Sequence, residues 1–342
     1  MVLHMRNIAA VGALSAAIGL AGPAAALDEV TFGTNWLAQA EHGGFYQAIA
    51  DGTYEKYGLD VSIRQGGPQA GNQALLIAGK IQFYMQGNML SPFDAAEQGI
   101  PVVEVAAIFQ KEPQVLLAHP DAGIDTFEDL AKLPTLFLSK DGYSSYFLWM
   151  KSAFEGFSDA QYKPYTFNPA PFIADKESAQ QGYITSEPYA IEKETGWSPK
   201  LFLLADYGFD TYSTLIEGMK DYVEANPDIT KRFVEASIIG WNNYLYGDNA
   251  AANELIKKDN PEMTDEQIAY SIAKMKDYGI VDSGDTLEKG IGCMTDERQK
   301  SFYDKMVKAG VVKAGIDYTT TYTTEYVCNG LGVDLKKKLM GQ

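Results

Sequence analysis

Residues 30–46 read VTFGTNWLAQAEHGGFY. Their first positions alternate between apolar and polar residues and predict a short strand, and the positions from Phe45 onward predict a helix. The loop between them carries Asn35, Trp36 and His42. Open α/β sheets bind ligands at such strand-to-helix loops, and an exposed tryptophan beside polar side chains suits a ring-shaped ligand. An ordinary turn with Trp36 packed into a core fits the same residues equally well.

Strand patterns alternate with helical patterns from this loop to about residue 204, and from residue 221 onward the chain is mainly helical. Such alternation is typical of α/β folds with a mostly parallel sheet. The arrangement fits either two sequential domains or two lobes in which the helical segment returns to the first. Further strands are predicted at residues 59–63, 81–85, 102–109, 115–118, 135–138 and 201–204. Helices are predicted at residues 45–56, 72–78, 91–98, 127–130, 143–154, 175–181, 231–245, 250–257, 265–276 and 296–309.

The length and charge of the chain limit the classes of partner. A chain of 342 residues has room for two domains, and 46% of its residues are hydrophobic, enough for a sizeable core. The formal net charge of −17 argues against nucleic acid and anionic membrane surfaces as partners, because both would repel the protein. The charge says little about a small ligand, since a local pocket can differ in sign from the whole molecule.

The N-terminus has the pattern of a secretory signal peptide, which we assign to residues 1–26. A weakly basic start with His4 and Arg6 precedes an apolar run, and an alanine triplet at 24–26 offers a cleavage site. The apolar run is too short to span a bilayer comfortably. We therefore expect a mature chain from about Leu27 that works outside the cytoplasm.

The two cysteines, Cys293 and Cys328, are compatible with export. An exported protein can pair them in a disulfide, although their spacing alone fits two separate thiols equally well. With two cysteines and three scattered histidines, we expect no metal site.

Three segments carry a family resemblance: NWLAQAEHGGFY at 35–46, AGKIQFYMQGN at 78–88 and GFDTY at 208–212. They resemble the solute-binding proteins of ABC importers for pyrimidine precursors of thiamine, whose relatives handle riboflavin, sulfonates and similar compounds. The resemblance implies an α/β, type II periplasmic-binding-protein fold with two α/β lobes, two hinge crossovers and a helical C-terminal segment. Lobe one would be residues 27–112 plus 208–342, and lobe two residues 113–207. The ligand would lie between the lobes, which close around it.

The same family includes enzymes that make the thiamine pyrimidine, using a lysine-bound pyridoxal phosphate and an active-site histidine. At the matching positions this chain has Gln86 instead of the lysine and Leu90 instead of the histidine. Residues 209–213 contain no cysteine where the enzymes have a cysteine-rich iron site. The reacting amine, imidazole and thiolates are all missing, so we expect a binding protein that needs no cofactor.

In the part assigned to lobe one, four residues besides Trp36 match binding positions. Asn35 offers hydrogen bonds in the plane of a ring, and His42 either contacts ligand or orients its loop. Gln86 and Asn88 lie at the end of a predicted strand. Asn88 could instead cap the next helix.

In lobe two, Tyr143 and Ser144 lie at a predicted helix start that suits an anionic group, although an ordinary turn would look the same. Glu187 lies directly after a buried-looking strand segment at 182–185. It could accept a hydrogen bond from an aminopyrimidine, or it could simply favour a helix N-terminus. At the second crossover, aromatic and acidic side chains could close over a ring or pack the hinge. They are Asp206, Tyr207, Phe209 and Tyr212.

The resemblance therefore implies a monomeric periplasmic protein that captures a small heteroaromatic nutrient and delivers it to an ABC permease in the inner membrane. The implied ligand is a thiamine pyrimidine precursor of the formylaminopyrimidine kind. Riboflavin, a sulfonate such as taurine, or another nitrogenous compound is the alternative, and a pyrimidine synthase is the enzymatic alternative.

Overall fold

A computed structural model describes residues 26–67 and 70–342 of the protein. The signal peptide that the sequence predicts at 1–26 lies almost entirely outside the described residues. Ten strands form two five-stranded sheets, and helices cover both. No helix in the described ranges has the length and apolar character needed to cross a membrane.

The first sheet has the strand order β2-β1-β3-β10-β4, and the second has the order β7-β6-β8-β5-β9. The first contains β1 Asp28–Gly33, β2 Leu59–Arg64, β3 Phe83–Asn88, β4 Val102–Phe109 and β10 Ser213–Met219. The second contains β5 Gln114–Ala118, β6 Thr135–Leu138, β7 Tyr162–Pro164, β8 Ser178–Tyr183 and β9 Lys200–Leu203.

Short helices connect the strands up to β9, and the longest helices of the described residues follow β10. The former are α1 Gly43–Ala50, α2 Thr53–Lys56, α3 Asn72–Ile77, α4 Leu90–Glu97, α5 Lys140–Gly142, α6 Leu148–Ala153, α7 Ala170–Ala174 and α8 Glu187–Thr195. The helices after β10 are α9 Lys220–Ala225, α10 Pro227–Tyr246, α11 Ala250–Asp259, α12 Asp265–Asp277, α13 Thr286–Lys289, α14 Asp296–Lys308 and α15 Val333–Leu339. A π-helical turn, Tyr143–Phe147, joins α5 to α6.

Each sheet with its helices forms one lobe: the first sheet with α1–α4 and α9–α15 is lobe one, and the second sheet with α5–α8 is lobe two. The chain crosses between them twice, from β4 to β5 and from β9 to β10. The expectation of two α/β lobes with two crossovers and a helical C-terminal segment is confirmed. The exact boundaries at 112/113 and 207/208 stay a prediction, and they fall within the two crossovers.

Both sheets are mixed rather than mostly parallel, which corrects the sequence-based expectation. β10 runs antiparallel to both β3 and β4, and β5 runs antiparallel to both β8 and β9. The reason is topological: each antiparallel strand directly follows one of the two crossovers and so enters its sheet from the hinge side.

Three strands were missed in the sequence: β7 and β10 entirely, and most of β8. Residues 175–181 were predicted as a helix, but β8 occupies 178–183 at the centre of the second sheet. The polar residues of β8 obscured its strand pattern in the sequence. One of them, Gln181, has hydrogen-bond partners in the fold: its Oε1 accepts from Ser139 N at 2.5 Å and from Tyr146 Oη at 2.8 Å. No strand was predicted for 213–219, where Glu217 interrupts the apolar pattern of β10.

Glycines in the opening stretch allow α1 to pack closely on α10. A Cβ atom at Gly44 would lie 2.2 Å from the Trp241 ring, and one at Gly43 would lie 2.0 Å from the Tyr244 ring. From the opposite side, a Cβ at Gly240 would lie 2.3 Å from the carbonyl oxygen of Gly44. Side chains at these three positions would force the helices apart, so the glycines set the distance between α1 and α10.

Candidate functional site

A cavity of about 230 Å³ lies between the two lobes, near both crossovers. Lobe one contributes the loop after β1 together with residues of β3, β4 and β10. Lobe two contributes the start of β5, the end of β8, the start of α8 and one loop. The lining residues are Asn35, Trp36, Gln39, Glu41, His42, Met85, Phe109, Gln114, Phe167, Gln181, Gly182, Tyr183, Ser186, Glu187, Ser213 and Thr214.

Hydrogen bonds fix the β1–α1 loop in place. Thr34 Oγ1 donates to the carbonyl oxygen of Trp36 at 2.8 Å and accepts from Gly66 N at 2.9 Å. Asn72 Nδ2 donates to the carbonyl oxygen of Thr34 at 2.9 Å. Gly66 is needed here, because a Cβ at that position would lie 2.4 Å from the backbone of Thr34 and Asn35. The loop is therefore preformed and presents Trp36 to the cavity.

Trp36 meets an aromatic partner from the other lobe. The ring centroids of Trp36 and Phe167 are 5.3 Å apart, and the Phe167 side chain remains 56% exposed. Phe167 also has a φ of 61°, in the left-handed region that non-glycine residues rarely occupy. An exposed phenylalanine on an unfavourable backbone conformation is typical of a functional position, here the mouth of the cavity.

Two carboxyl groups face the cavity from different lobes. Glu41 is buried and accepts a hydrogen bond from Thr185 Oγ1 of lobe two, and burial raises the pKa of its carboxyl to about 7. Glu187 accepts from Tyr183 N at 2.7 Å, and burial raises its pKa as well. Among the lining residues that the structure describes, none is Lys or Arg. The cavity therefore suits hydrogen-bond donors or positive charge rather than an anion.

His42 lies at the inner end of the loop, directly before α1. Its side chain is almost completely buried, and its Nδ1 atom has no hydrogen-bond partner within the described ranges. Burial lowers the pKa of His42 to about 3, so the imidazole is neutral at neutral pH. A neutral imidazole can donate from one nitrogen and accept at the other, which leaves Nδ1 available to a ligand.

A third carboxyl, that of Glu112, lies in the first crossover behind the cavity. Its Oε1 atom accepts from Tyr183 Oη at 3.0 Å, and burial raises its pKa to about 7. Because Tyr183 lines the cavity, Glu112 orients a lining side chain without touching the cavity itself. Gln114, another lining residue, donates from Nε2 to the carbonyl oxygen of Gly182 at 2.9 Å.

The structure places four of the predicted site residues on the cavity: Asn35, Trp36, His42 and Glu187. Gln86 lies inside β3 and Asn88 at its end, and neither is among the lining residues. Gln86 Oε1 accepts from Gly87 N at 2.8 Å, and Asn88 Oδ1 accepts from Leu90 N at 3.0 Å. Asn88 thus makes the contact expected of a residue at a helix start.

Tyr143 and Ser144 lie at the start of the helix that follows β6, also away from the cavity. Tyr143 Oη donates to Asp159 at 2.9 Å, and Ser144 Oγ donates to the carbonyl oxygen of Asp141 at 3.2 Å. These contacts are local to lobe two, so we leave both residues out of the proposed ligand contacts.

The predicted residues of the second crossover pack the hinge. Asp206 forms an ion pair with Lys111 of the first crossover at 3.0 Å. The Tyr207 ring stacks on Phe127 with centroids 4.3 Å apart. Phe209 and Tyr212 are fully buried, and neither lines the cavity. Packing is therefore the role that the structure gives these four side chains.

Sequence reasoning missed several lining residues: Gln39, Glu41, Gln114, Phe167, Gln181, Tyr183 and Thr214. Glu41 had a signal, because it lies in the same loop as His42 and is an acidic residue with no Lys or Arg within ten residues in sequence. Phe167 and Gln114 had none, since their place at the cavity depends on how lobe two sits against lobe one. The described residues contain no group of His, Cys, Asp and Glu side chains suited to a metal ion.

Comparison with solved structures identifies the fold. The periplasmic aliphatic sulphonate binding protein SsuA from Escherichia coli superposes with a TM-score of 0.59 at 16% identity, covering 86% of this chain and 91% of that chain. The fold is thus that of the periplasmic binding proteins. With its cavity between two lobes, this chain has the architecture of a two-lobed binding protein.

The chain belongs to the NMT1/THI5-like family, whose profile matches residues 39–251. The riboflavin-binding protein RibY from Chloroflexus aurantiacus is 23% identical over 310 residues, covering 89% of this chain and 87% of that protein. The 4-amino-5-hydroxymethyl-2-methylpyrimidine phosphate synthase from Schizosaccharomyces pombe is 27% identical over 103 residues, about 30% of either chain.

Proposed function

We propose that this protein is the periplasmic solute-binding component of an ABC importer and that it captures a thiamine pyrimidine precursor of the formylaminopyrimidine kind. One observation carries the proposal: the cavity between the lobes combines an aromatic pair, Trp36 and Phe167, with two carboxyls and no Lys or Arg among its described lining residues. A flat ring with amino substituents matches both features.

In this proposal seven of the lining residues contact the ligand. Trp36 and Phe167, which contact each other, cover the ring from the mouth of the cavity, and Glu187 accepts a hydrogen bond from the ring amino group. Asn35 and Gln114 bond the ring edge, where an amide can both donate and accept. Glu41 and His42 receive the substituent at the inner end. The ligand thereby offsets the cost of burying carboxyl groups that lack a cationic partner.

Riboflavin is the first alternative, supported by the name of RibY. The size of the cavity favours a smaller ligand. At about 230 Å³ it lies below the usual range for ligand pockets, about 300–1,000 Å³. A three-ring flavin with its sugar-alcohol chain needs much more space than a single substituted ring.

A sulfonate such as taurine is the second alternative, supported by the fold alone. A sulfonate is a permanent anion and would need cationic side chains, a helix N-terminus or several N–H groups to replace its hydration. The described lining includes the starts of α1 and α8, but it also presents the carboxyls of Glu41 and Glu187 and contains no Lys or Arg. The electrostatics of the cavity therefore disfavour this class of ligand.

An enzyme of the pyrimidine-synthase type is the third alternative, supported by the partial match to the yeast protein. The lysine and histidine that its chemistry would need are replaced by Gln86 and Leu90. Gln86 has a carboxamide that cannot form a Schiff base, and the Leu90 side chain is buried and apolar. We therefore propose binding and delivery to a permease, without bond chemistry, by a monomer exported through its signal peptide.

A thermal-shift panel tests this function. Formylaminopyrimidine, riboflavin and taurine are each added to the wild-type protein and to Glu187→Gln. A ligand at 100 times its Kd stabilises the folded state by about 2.7 kcal/mol. We expect formylaminopyrimidine to raise Tm of the wild type and to raise it less in Glu187→Gln. A shift with taurine or riboflavin, and none with the pyrimidine, would assign a different ligand.

A further inference from the structure

One arginine contacts both crossovers between the lobes. Arg298, in the first turn of α14, donates from Nε to the carbonyl oxygen of Asp210 at 2.8 Å and from Nη2 to that of Thr211 at 3.3 Å. Its Nη2 atom also donates to the carbonyl oxygen of Gln110. Asp210 and Thr211 belong to the second crossover and Gln110 to the first, so one guanidinium connects the two chain segments that form the hinge.

The second crossover is also fixed by an aromatic contact. The guanidinium carbon of Arg298 lies 4.1 Å from the centroid of the Tyr212 ring, a cation–π arrangement. The hydroxyl of Tyr212 accepts a hydrogen bond from Thr295 N, directly before α14, at 3.1 Å. Tyr212 is fully buried. The start of α14 therefore holds this crossover through both a side chain and the backbone.

The disulfide lies at the same place. Cys293, three residues before α14, pairs with Cys328 of the C-terminal segment. The side chain of Gln110 donates from Nε2 to the carbonyl oxygen of Cys293 at 3.0 Å. The disulfide thus ties the segment that leads into α14 to the rest of lobe one, and that segment contacts the first crossover directly.

These contacts lie directly behind the cavity. Three residues next to these contacts in sequence line the cavity: Phe109, Ser213 and Thr214. Gln110 directly follows the first of them, and Tyr212 directly precedes the other two. Any shift of the crossovers relative to α14 would therefore move this wall of the cavity and change the angle between the lobes.

We propose that Arg298 is a positioning residue for the hinge, which holds both crossovers against lobe one, and that the Cys293–Cys328 disulfide keeps α14 in the place that this requires. Arg298 thereby sets how far the lobes open without touching the ligand. The proposal goes beyond the proposed function and is independent of which ligand is bound.

Arg232 provides a matched control. It too is partly buried in lobe one, where it donates to the carbonyl oxygens of Tyr57 and Gly58 at 3.1 and 3.2 Å and pairs with Asp28 at 2.6 Å. Its contacts are far from the crossovers in sequence and belong to lobe one alone. A general loss of stability on removing a guanidinium would appear equally in Arg232→Ala and Arg298→Ala.

The experiment is hydrogen–deuterium exchange on the ligand-free full chain. The informative amides are those of Gln110 and Lys111, which bond the carbonyl oxygen of Ile280, and that of Phe209, which bonds Leu204. In Arg298→Ala we expect these amides to exchange roughly tenfold faster or more, as for the loss of a charge-assisted hydrogen bond. Core amides of β4 report global unfolding and should change much less. Arg232→Ala should leave the crossover amides unchanged.

Two further variants separate the parts of the proposal. Arg298→Lys keeps the charge but has a single ammonium, so it should restore protection at one crossover at most. The Cys293→Ser/Cys328→Ser variant should raise exchange at the same amides as Arg298→Ala. The role of Arg298 would be overturned if the crossover amides exchanged at the wild-type rate in both Arg298→Ala and Arg298→Lys, or if their exchange rates rose equally in Arg232→Ala. The role of the disulfide would be overturned if these amides exchanged at the wild-type rate in the serine variant.

Discussion

Trp36 and Phe167 approach each other from different lobes at the mouth of the cavity. Phe167 combines exposure with a φ of 61°, a conformation that costs of order 1–3 kcal/mol in a non-glycine residue. Such a cost persists only where the surroundings enforce it, and a ligand ring packed against the two aromatics would recover part of it through burial. At the scale of single residues, this pair therefore supports the proposed flat ligand.

Trp36→Ala tests this pair. Removing the indole should weaken binding of formylaminopyrimidine by about 1–3 kcal/mol, the range typical of stacking between a base and an aromatic side chain. Calorimetric titration gives the affinity. Trp197→Ala is the control, because Trp197 packs on His119 and Phe172 within lobe two. Equal affinities of Trp36→Ala and the wild type would show that Trp36 only packs the loop.

Single residues show where sequence reasoning succeeds at the site. Asn35, Trp36 and His42 could be found because they share one loop with a recognisable strand-to-helix pattern. Glu187 could be found because it starts a helix directly after a strand region. Phe167 could not, since its role depends on a contact with the other lobe that no local pattern encodes.

At the scale of secondary-structure elements, α1 and α10 illustrate how glycines in the opening stretch determine packing. Gly43 and Gly44 face Tyr244 and Trp241 at distances that leave no space for a methyl group. The Trp241 ring in turn contacts Phe45 and Phe109, which places this helix pair directly under the cavity loop. Packing between these helices and the position of the loop are therefore coupled.

Gly44→Ala should destabilise the protein by at least the 1–3 kcal/mol typical of overpacked cores, because the added methyl group overlaps the Trp241 ring. Urea unfolding measures the effect as a lower midpoint at unchanged slope. Trp241→Leu in the same background creates space and should recover part of the loss. An unchanged midpoint in Gly44→Ala would contradict the close packing of α1 on α10.

A pair of carboxyls lies buried between neighbouring strands of lobe one. Glu104 of β4 and Glu217 of β10 are direct cross-strand neighbours, and the described part of the chain gives neither of them a Lys, Arg or His partner. Burial raises the pKa of Glu217 to about 8 and that of Glu104 well above its ordinary value, the latter also because of the Glu217 charge. Folding thus favours the protonated form of both.

The stability of the protein should consequently fall as the pH rises from about 4.3 to about 8. Glutamate in an unfolded chain titrates near pH 4.3. The stabilisation of the folded state by its buried, protonated carboxyls is therefore complete below about pH 4.3 and is lost as the pH rises through about 8. Urea unfolding between pH 5 and 9 measures the slope. Glu217→Gln should reduce the slope, while Glu29→Gln, at an exposed position of β1, should not. Stability that rises from pH 5 to 9 would contradict buried, protonated carboxyls.

The same strands show why part of the fold escaped sequence reasoning. Most helices after residue 226 were predicted within a few residues, because their apolar stripes repeat regularly. β8 and β10 were missed because Gln180, Gln181 and Glu217 occupy buried strand positions. Only the finished sheets show the hydrogen bonds of Gln181 and the burial that favours the protonated form of Glu217, and that information is absent from local sequence.

At the scale of the whole molecule, the two lobes bring the carboxyls of Glu41 and Glu187 to one cavity. Glu41 and Thr185 form a hydrogen bond across the lobes, and Ser271 of lobe one donates to the carbonyl oxygen of Thr185 at 2.7 Å. Closure without ligand would bury Glu41 and Glu187 with no positive partner among the described lining residues. A ligand that supplies hydrogen-bond donors removes this cost and so favours the closed state.

The most direct test of whether the cavity binds a thiamine pyrimidine precursor is calorimetric titration of the wild-type protein with formylaminopyrimidine. We expect one binding site per chain, a negative heat-capacity change from burial of the ring, and clearly weaker binding by Glu187→Gln. Taurine should produce no binding heat. Absence of binding by the pyrimidine, together with saturable binding of taurine, would show that the cavity takes a sulfonate rather than an amino-substituted ring.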